Sequence, residues 1–394
     1  MKDIYLDHAS TTPVDSRVLD VVRPFWSEVF ANPSSLHAPG VSASNAVMDA
    51  RKRIARLLNA HAEEVLFTSG GTESDNLAVV GVVWANMSKG RHVVTTAIEH
   101  PAILEPLLHL EKTGDIDLTV LPVDGAGLVD PDAVMEAIRP DTVLISVMLA
   151  NNEIGTIQPV AEIGKRLLKH RKQNATALPY FHTDACQAAG ALDLDVEKLH
   201  VDLLTLNGSK IYGPKGIGLL FVRRGVSVEP LIRGGGQERG LRSGTENVPG
   251  IIGLATAFEL AQAEKETENA RLIPLRDRLI EGLLSIPKAR LNGHATTRLP
   301  NNVNVTFPDI EGEAAVLYLD AKGIRASTGS ACASSSLEPS HVLMAIGLPH
   351  DIVHGSVRFT LGRSTTVDDI EVVIAAMSPI VERLRSMSPV EIPV

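Results

Sequence analysis

The chain has 394 residues, two cysteines and a formal net charge of −10, with 44% hydrophobic and 21% charged residues. These fractions are those of an ordinary globular protein, and the length predicts one large and one smaller domain. The negative charge argues against direct binding of nucleic acid, since phosphate binding needs a basic surface. The sequence contains neither an apolar run long enough to span a bilayer nor a signal-peptide pattern at its start. We therefore expect a cytoplasmic protein without a membrane partner or a disulfide framework.

Seven short apolar runs alternate with helical stretches along the first part of the chain. They are residues 64–68, 92–97, 118–122, 142–147, 179–184, 202–206 and 217–222. Most are continuously apolar, as expected for central strands that are covered by helices on both faces. The pattern predicts an α/β fold with a mostly parallel seven-stranded sheet. Ligands bind beyond the carboxyl ends of such strands, so the polar residues that follow the runs are the first functional candidates.

The second part of the chain has a different pattern. A long helix is predicted from Pro249, and Asn301 to Phe307 alternates polar and apolar residues. Thr366 and Asp369 form a candidate capping box before a terminal helix. These features predict a smaller α+β domain.

A candidate anion site follows the first strand, at Ser69-Gly-Gly-Thr72. Free amides at a helix N-terminus favour phosphate, Gly71 permits close approach to the backbone, and Thr72 adds a hydroxyl donor. The alternative is an ordinary turn in which Thr72 caps the helix. A nucleotide site is disfavoured, because the chain lacks the glycine-rich loops of nucleotide-binding folds.

Several polar residues follow other strands. A lysine at the position of Lys210, beside apolar walls, can lose its proton and form an imine with an aldehyde cofactor. Asp184 can pair with a protonated pyridine nitrogen, and His100 can stack on a planar ring and exchange protons. Asn152 and Gln187 can donate hydrogen bonds to a ring hydroxyl. Each residue taken alone has an ordinary structural alternative, such as a helix cap or a hydrogen-bonded loop.

Cys332 lies in a run of small polar residues, 327–336, which indicates an accessible loop and not a core strand. Such a context favours a reactive thiol over a buried one. Cys186 follows a strand directly and is predicted to be a packing residue. No metal site is predicted.

Seven motifs occur in one order along the chain. They are Thr68 to Leu77, Glu99-His100, Asn151 to Gly155, Asp184 to Gln187, Lys210 to Gly216, Arg239 to Thr245, and Ser330 to Ser334. Together they resemble the cysteine desulfurases, and the match runs from Tyr5 to Arg363. The resemblance implies a fold-type I enzyme that uses pyridoxal 5'-phosphate, with a large domain over residues 18–261. It implies a small domain of residues 1–17 and 262–394 that carries the catalytic cysteine.

The resemblance also implies a role for each site residue. Lys210 carries the cofactor as a Schiff base, Cys332 accepts sulfur, and His100 stacks on the ring and shuttles protons. The implied cofactor ligands are Gly71, Thr72, His100, Asn152, Asp184, Gln187, Asn207, Ser209, Lys210 and, from the neighbouring subunit of a homodimer, Thr245. The implied substrate ligands are Asn32, Asn152 and Arg358, of which the arginine suits a carboxylate.

Two positions depart from the family pattern. Asn207 stands where serine is usual, and Ser209 stands where histidine usually precedes the lysine; both usual residues contact the phosphate. Asn207 and Ser209 keep hydrogen-bond donors, so we predict cofactor binding with an altered phosphate geometry.

The implied activity is conversion of L-cysteine to L-alanine, with sulfur passed through a Cys332 persulfide to an acceptor or iron–sulfur scaffold protein. The transferred sulfur would serve iron–sulfur cluster assembly or thio-modification. A selenocysteine lyase or a class V aminotransferase would share the lysine, aspartate and phosphate site, although Cys332 argues against the aminotransferase. A catalytically silent platform for sulfur-carrier proteins is a third interpretation.

Overall fold

A computed structural model describes residues 3–329 and 339–387. Cys332 and the tail after Met387 lie outside the described residues. Within the described ranges, none of the helices combines the length and the apolar character that a membrane crossing requires.

The larger part of the chain is built around one seven-stranded sheet. Its strands, in chain order, are β2 (Val65–Thr68), β3 (His92–Thr96), β4 (Asp117–Leu121), β5 (Thr142–Ser146), β6 (Tyr180–Asp184), β7 (Leu203–Asn207) and β8 (Gly218–Val222). The spatial order is β2-β8-β7-β6-β5-β3-β4, and only β8 runs antiparallel to its neighbours. The predicted mostly parallel sheet is confirmed, and each strand lies within about one residue of its predicted bounds.

Helices cover both faces of this sheet, because its strands are apolar on both sides. The helices of this part are α1 (Ser16–Val22), α2 (Pro24–Ser27), α3 (Ala38–Leu57), α4 (Gly71–Asn86), α5 (Pro101–Thr113), α6 (Pro131–Glu136), α7 (Val160–Asn174) and α8 (Val196–Leu199). One core packs α3 and α7 against one face of the sheet, and a second packs α4 and α5 against the other. The result is a three-layer α/β arrangement.

A smaller core contains both ends of the described chain. Its strands are β1 (Ile4–Tyr5), β9 (Arg290–Leu291), β10 (Asn302–Thr306), β11 (Ile324–Arg325) and β12 (Ser356–Thr360). Strand β10 pairs antiparallel with β9 and β12, while β1 pairs with β11. Helices α10 (Gly312–Asp320) and α13 (Val367–Met387) belong to this core, while α11 (His341–Ala345) and α12 (His350–Val353) pack in a separate cluster with Ile98, Met148 and Ile154. Thr366 and Asp369 form the predicted reciprocal cap of α13, with each backbone N–H donating to the other side chain.

Helix α9 (Val248–Leu284) begins one residue before the predicted start at Pro249. Its first half packs into the large core and its second half into the small core, through Ile251 and Leu279 among others. The predicted border between residues 261 and 262 therefore falls inside one continuous helix. That border stays a prediction.

A buried ion pair stabilises β2, the strand that precedes the candidate anion site. The Arg51 and Glu238 side chains are 7% and 4% exposed, and Arg51 Nη2 lies 2.5 Å from Glu238 Oε1. Glu238 Oε2 also accepts a hydrogen bond from Phe67 N at 2.9 Å, and Arg51 Nη1 donates to Val65 O at 2.6 Å. Because both partners are desolvated, removing one charge leaves the other uncompensated.

We expect Glu238→Gln to lower the free energy of unfolding by about 3 kcal/mol, because it leaves the Arg51 charge buried without a counter-ion. Urea unfolding followed by circular dichroism would measure the change. The matched control is Glu162→Gln, which breaks an exposed pair with Arg166 and should cost less than about 1 kcal/mol. Equal losses in the two variants would contradict the prediction.

Candidate active site

One cavity of about 340 Å³ lies beyond the carboxyl ends of the parallel strands. This is the edge at which an α/β sheet binds ligands. The predicted site residues that line it are Gly71, Thr72, His100, Asn152, Asp184, Gln187, Asn207, Lys210 and Arg358. They come from six separate stretches of chain, so the fold brings together residues that the sequence keeps far apart.

Lys210 ends a short 3-10 helix, Gly208–Lys210, that directly follows β7. The side chain is partly buried, and its Nζ donates a hydrogen bond to Ser10 O at 2.5 Å. Ser10 belongs to the N-terminal segment of the smaller part of the chain and also lines the cavity. The amine is therefore held at the boundary between the two parts of the molecule, facing the ligand space.

Asp184 is the last residue of β6 and is 6% exposed. Its Oδ1 accepts a hydrogen bond from Cys186 N at 2.8 Å, which fixes the carboxylate at the end of the strand. Burial and the nearby Asp184 charge raise the pKa of Asp75 well above its ordinary value. Burial also raises the pKa of Glu99, to about 8, with Asp184 adding to the effect. At neutral pH these two acids are therefore neutral.

His100 is the N-cap of α5, and its Nδ1 accepts a hydrogen bond from Ala102 N at 3.1 Å. A backbone N–H can only donate, so Nδ1 carries no proton and the ring proton of the neutral form sits on Nε2. Burial lowers the pKa of His100, and the Lys210 and His341 charges lower it further, while Asp184 opposes them. The geometry therefore supplies a neutral imidazole that can donate and exchange a proton at Nε2.

The N-terminus of α4 forms one end of the cavity. A Cβ added at Gly71 would lie 2.9 Å from Cys186 Sγ, so only glycine leaves this approach to the backbone open. The preceding Gly70 has φ 158° and ψ −177°, a conformation that is essentially restricted to glycine. Since α4 has 16 residues, its free amides and positive dipole end favour an anion at this end of the cavity.

Arg358 lies in β12 and is only 2% exposed. Its Nη1 donates to Asn152 O at 3.0 Å, and its Nη2 donates to Asp7 Oδ1 at 3.0 Å and to Ser10 Oγ at 2.8 Å. Among the described residues, its buried Nε has no hydrogen-bond partner. The guanidinium is thus fixed in position and retains a buried donor.

Three predicted residues do not line the cavity within the described chain. Ser209 lies behind Asn207, whose Oδ1 accepts hydrogen bonds from Ser209 N at 3.1 Å and from Ser209 Oγ at 3.2 Å. Asn32 and Thr245 are exposed. Asn32 Oδ1 accepts a hydrogen bond from Ser34 N. These placements leave the implied roles of all three as predictions.

The sequence interpretation missed four titratable residues that line the cavity or contact its wall: Asp75, Glu99, Glu153 and His341. Asp75 follows Thr72 by three residues on α4, so helical periodicity places both on one face. Glu99 and Glu153 stand inside motifs that the resemblance rested on, which was the available signal. His341 had no comparable signal, because it reaches the site only when α11 packs there and its Nε2 contacts Glu99 O at 2.8 Å.

Comparison with known proteins identifies the family. The family model described as aminotransferase class-V matches residues 4–373. A protein named cysteine desulfurase IscS, from Methanosarcina thermophila, is 55% identical over 388 residues, which cover 98% of this chain and 94% of the relative. The chain belongs to the cysteine desulfurases of the class-V aminotransferase family.

Other relatives agree over nearly the same length. A cysteine desulfurase IscS 1 of Archaeoglobus fulgidus is 49% identical over 385 residues, with 98% of both chains covered. A solved NifS-like protein superposes with a TM-score of 0.90 at 36% identity, covering 97% of this chain and 100% of its own. A structure described as SspA in complex with cysteine has a TM-score of 0.78 at 38% identity, covering 91% and 98%. The predicted fold, desulfurase activity and pyridoxal phosphate dependence are confirmed.

The cavity of this desulfurase fits a phosphorylated aldehyde cofactor. Its volume suits a small ligand, and the open approach at Gly71 is where a phosphate would meet free amides. Within the described chain, the buried Asp75 Oδ1 and Arg358 Nε have no hydrogen-bond partners, and both residues line this space. Buried polar atoms without partners are costly, so they indicate a ligand or solvent that satisfies them.

Proposed function

We propose that this cavity is where the enzyme converts L-cysteine to L-alanine and passes the sulfur to Cys332. The observation that supports this most is the convergence of an amine, a buried carboxylate and a neutral imidazole on one space, from Lys210, Asp184 and His100. These three residues are separated along the chain, and the fold brings them to one cavity. A fixed guanidinium that lines the same space, Arg358, completes the set.

Each group has a proposed task toward the cofactor. Lys210 would bind its aldehyde carbon, Asp184 its protonated ring nitrogen, and His100 would cover the ring. Asn152 and Gln187 would contact the ring hydroxyl, and Gln187 is already oriented by its hydrogen bond to Ala9 O at 3.0 Å. When bound, pyridoxal phosphate supplies an electron sink for the substrate carbon.

The reaction itself then depends on residues of this chain. Lys210 removes the substrate α-proton, and His100 moves a proton at Nε2. The Cys332 thiolate attacks the substrate sulfur: an S–S bond forms, the substrate C–S bond breaks, and its electron pair passes to carbon. Protonation of that carbon and return of a proton to the α-carbon yield alanine, so the reaction needs no external oxidant. Arg358, with Asn32 and Asn152, would bind the substrate carboxylate.

The phosphate end differs from the usual family pattern, and its geometry supports a specific role for Asn207. Ser209 N can only donate, so the Asn207 atom that faces it must be Oδ1. Nδ2 then points away from Ser209 and lies 3.5 Å from where a Cβ on Gly71 would be. We infer that Asn207 donates to the phosphate through Nδ2, while Ser209 fixes the orientation of the amide.

We expect Asn207→Asp to weaken pyridoxal phosphate binding about 100-fold, because a donor to a charged group is replaced by a second negative charge. Titration of the cofactor-free protein, followed by absorbance, would measure the dissociation constant. Ser209→Ala should change it less than about 5-fold, since the Ser209 backbone N–H still orients the amide.

The phosphate-free aldehyde pyridoxal is the control ligand for this prediction. Its affinity should be the same in the wild type and in Asn207→Asp, because it lacks the group that Asn207 contacts. If Asn207→Asp weakened the binding of pyridoxal and of pyridoxal phosphate equally, this would contradict a contact between Asn207 and the phosphate. A larger effect of Ser209→Ala than of Asn207→Asp would instead make Ser209 the ligand.

We propose a homodimer in which Thr245 of one subunit reaches the phosphate of the other. Thr245 and Asn32 are exposed in the single chain, although the resemblance places both at an active site. Next to Asn32, the side chains of Trp26, Phe30 and Leu36 are 70%, 74% and 97% exposed. Exposed apolar groups of this size are typical of a subunit interface. Light scattering in solution would measure the mass, and a monomer would exclude this arrangement.

We further propose that the persulfide sulfur passes to an acceptor or iron–sulfur scaffold protein, for cluster assembly or thio-modification. Because the accepting cysteine must be a thiol, we propose the reducing cytoplasm as its compartment. Incubation with L-cysteine should yield alanine and protein-bound persulfide in equal amounts until acceptor is added, and then many turnovers. Absence of both products would refute the proposed function. Parallel incubation with selenocysteine compares the two substrates.

A further inference from the structure

Glu153 is a buried acid that lines the cavity and has no role in the chemistry described above. It is 3% exposed, and its backbone is fixed on both sides. Its N–H donates to Asn151 Oδ1 at 2.8 Å, and its carbonyl oxygen accepts hydrogen bonds from Asn304 Nδ2 at 3.1 Å and Asn302 Nδ2 at 3.3 Å. The carboxyl group is therefore presented from a rigid position.

Two residues that are eleven positions apart in sequence meet this one carboxyl group. Ser340 Oγ donates a hydrogen bond to Glu153 Oε2 at 2.5 Å. A Cβ added at Gly329 would lie 2.8 Å from the same Oε2, so the Gly329 backbone packs directly against it. Cys332 lies in the sequence between these two residues. Gly329 and Ser340, which flank the Cys332 segment in sequence, thus meet at one oxygen atom of Glu153.

The surroundings of Glu153 connect this point to α11 and to β12. Ser340 Oγ also accepts a hydrogen bond from Leu343 N at 3.2 Å and so caps α11. On the other side, Ser327 forms reciprocal backbone hydrogen bonds with Arg358, at 2.7 and 3.2 Å. The residues on either side of 330–338 are therefore held by specific contacts, of which Glu153 makes the contact that both ends share.

Burial raises the pKa of Glu153, although the His341 and Arg358 charges and the Ser340 hydroxyl oppose this. A neutral carboxyl still accepts the Ser340 hydrogen bond and still fills the space beside Gly329. The contribution of Glu153 is therefore one of shape and hydrogen bonding, which a glutamine of nearly equal size can reproduce.

We propose that Glu153 is a positioning residue for sulfur transfer: it fixes both flanks of the Cys332 segment relative to the cavity without taking part in removal of the α-proton. This inference rests on the proposed function of Cys332. Sulfur transfer needs the thiolate within bonding reach of the substrate sulfur, and a displacement of about 1 Å can cost about 100-fold in rate. Removal of the α-proton depends instead on Lys210, whose Nζ is held by Ser10 O at 2.5 Å, and on the cofactor.

The test compares two steps of one reaction in the full-length enzyme loaded with cofactor. Exchange of the cysteine α-proton in deuterated water reports the first step, and single-turnover persulfide formation reports the second. Glu153→Ala should slow persulfide formation about 10- to 100-fold and change proton exchange less than about 2-fold. Glu153→Gln should restore transfer to within about 3-fold of wild type.

Two variants test the same contact from the flanking residues. Ser340→Ala removes the hydrogen bond, and Gly329→Ala places a methyl group against Oε2; both should slow transfer more than exchange. They keep the inference testable if Glu153→Ala fails to fold. Glu64→Ala is a matched control for loss of a buried acid. Glu64 is 6% exposed and accepts two backbone N–H bonds, and it directly precedes β2, at the end of that strand away from the candidate anion site.

Persulfide formation at the wild-type rate in Glu153→Ala would overturn the inference. Equal loss of α-proton exchange and persulfide formation in the three variants would also overturn it, because it would indicate general disruption of the site. A slow Glu153→Gln would show that charge, and not shape, is what matters, and would overturn it in the stated form. Failure of the proposed function gives a different result, since wild type itself would then form no persulfide.

Discussion

Replacing Lys210 by alanine is expected to abolish alanine formation from L-cysteine, with a loss of about 10³-fold or more in turnover. The variant removes the amine that lies in the cavity and donates to Ser10 O. With the roles proposed for Lys210, the variant loses both the imine to the cofactor and the base that takes the α-proton. Alanine release, measured by amino-acid analysis, and exchange of the α-proton should both fall to background.

The spectrum of the same variant provides a second check. Cofactor that is bound without an imine should absorb as the free aldehyde and be removed by gel filtration. Lys215→Ala is the matched control, since Lys215 lies in the same turn and its Nζ donates to another backbone carbonyl, Thr12 O, at 2.6 Å. Lys215 does not line the cavity in the described chain, so this variant should keep its activity. Full activity in Lys210→Ala would disprove the assignment.

Replacing Cys332 by serine is expected to abolish protein-bound persulfide while the cofactor spectrum and exchange of the α-proton stay as in wild type. A serine hydroxyl is a far weaker nucleophile toward sulfur than a thiolate, so the second step stops after the first has occurred. Persulfide would be measured by alkylation and mass spectrometry after one turnover.

The chain has only two cysteines, so Cys186→Ala locates the persulfide without further variants. Cys186 is 8% exposed, and burial together with the Asp184 charge raises the pKa of its thiol well above the ordinary value. Such a thiol is almost entirely protonated and is a poor nucleophile. Cys186→Ala should therefore keep the persulfide. Sulfide release at the normal rate from Cys332→Ser would rule out the proposed route.

Local sequence patterns predicted the elements well. All seven strands of the large sheet were found within about one residue of their predicted bounds, because continuous apolar runs and alternating helical stretches are local signals. The same holds for the Thr366–Asp369 cap, whose two hydrogen bonds join residues three apart. The turn after β2 was predicted as a helix N-terminus for similar reasons, and α4 begins there at Gly71.

The candidate site was predicted less evenly. Lys210, Asp184 and His100 were individually ambiguous, because a polar residue after a strand is more often a cap than a catalyst; the order of the motifs made the assignment. Asp75 and Glu153 were missed even though they stand inside those motifs. Their importance comes from what they face across the cavity, which no local pattern records.

The sequence by itself determined the strands, the helix starts, the family and the residue types available for the chemistry, because these depend on neighbours along the chain. Only the tertiary structure decided that Arg358 contacts Asp7 and Ser10 from about 350 positions away. It also placed Ser209 behind Asn207 and brought Gly329 and Ser340 to one oxygen of Glu153. Such contacts arise when separate elements pack, and burial then sets the protonation of acids such as Glu99.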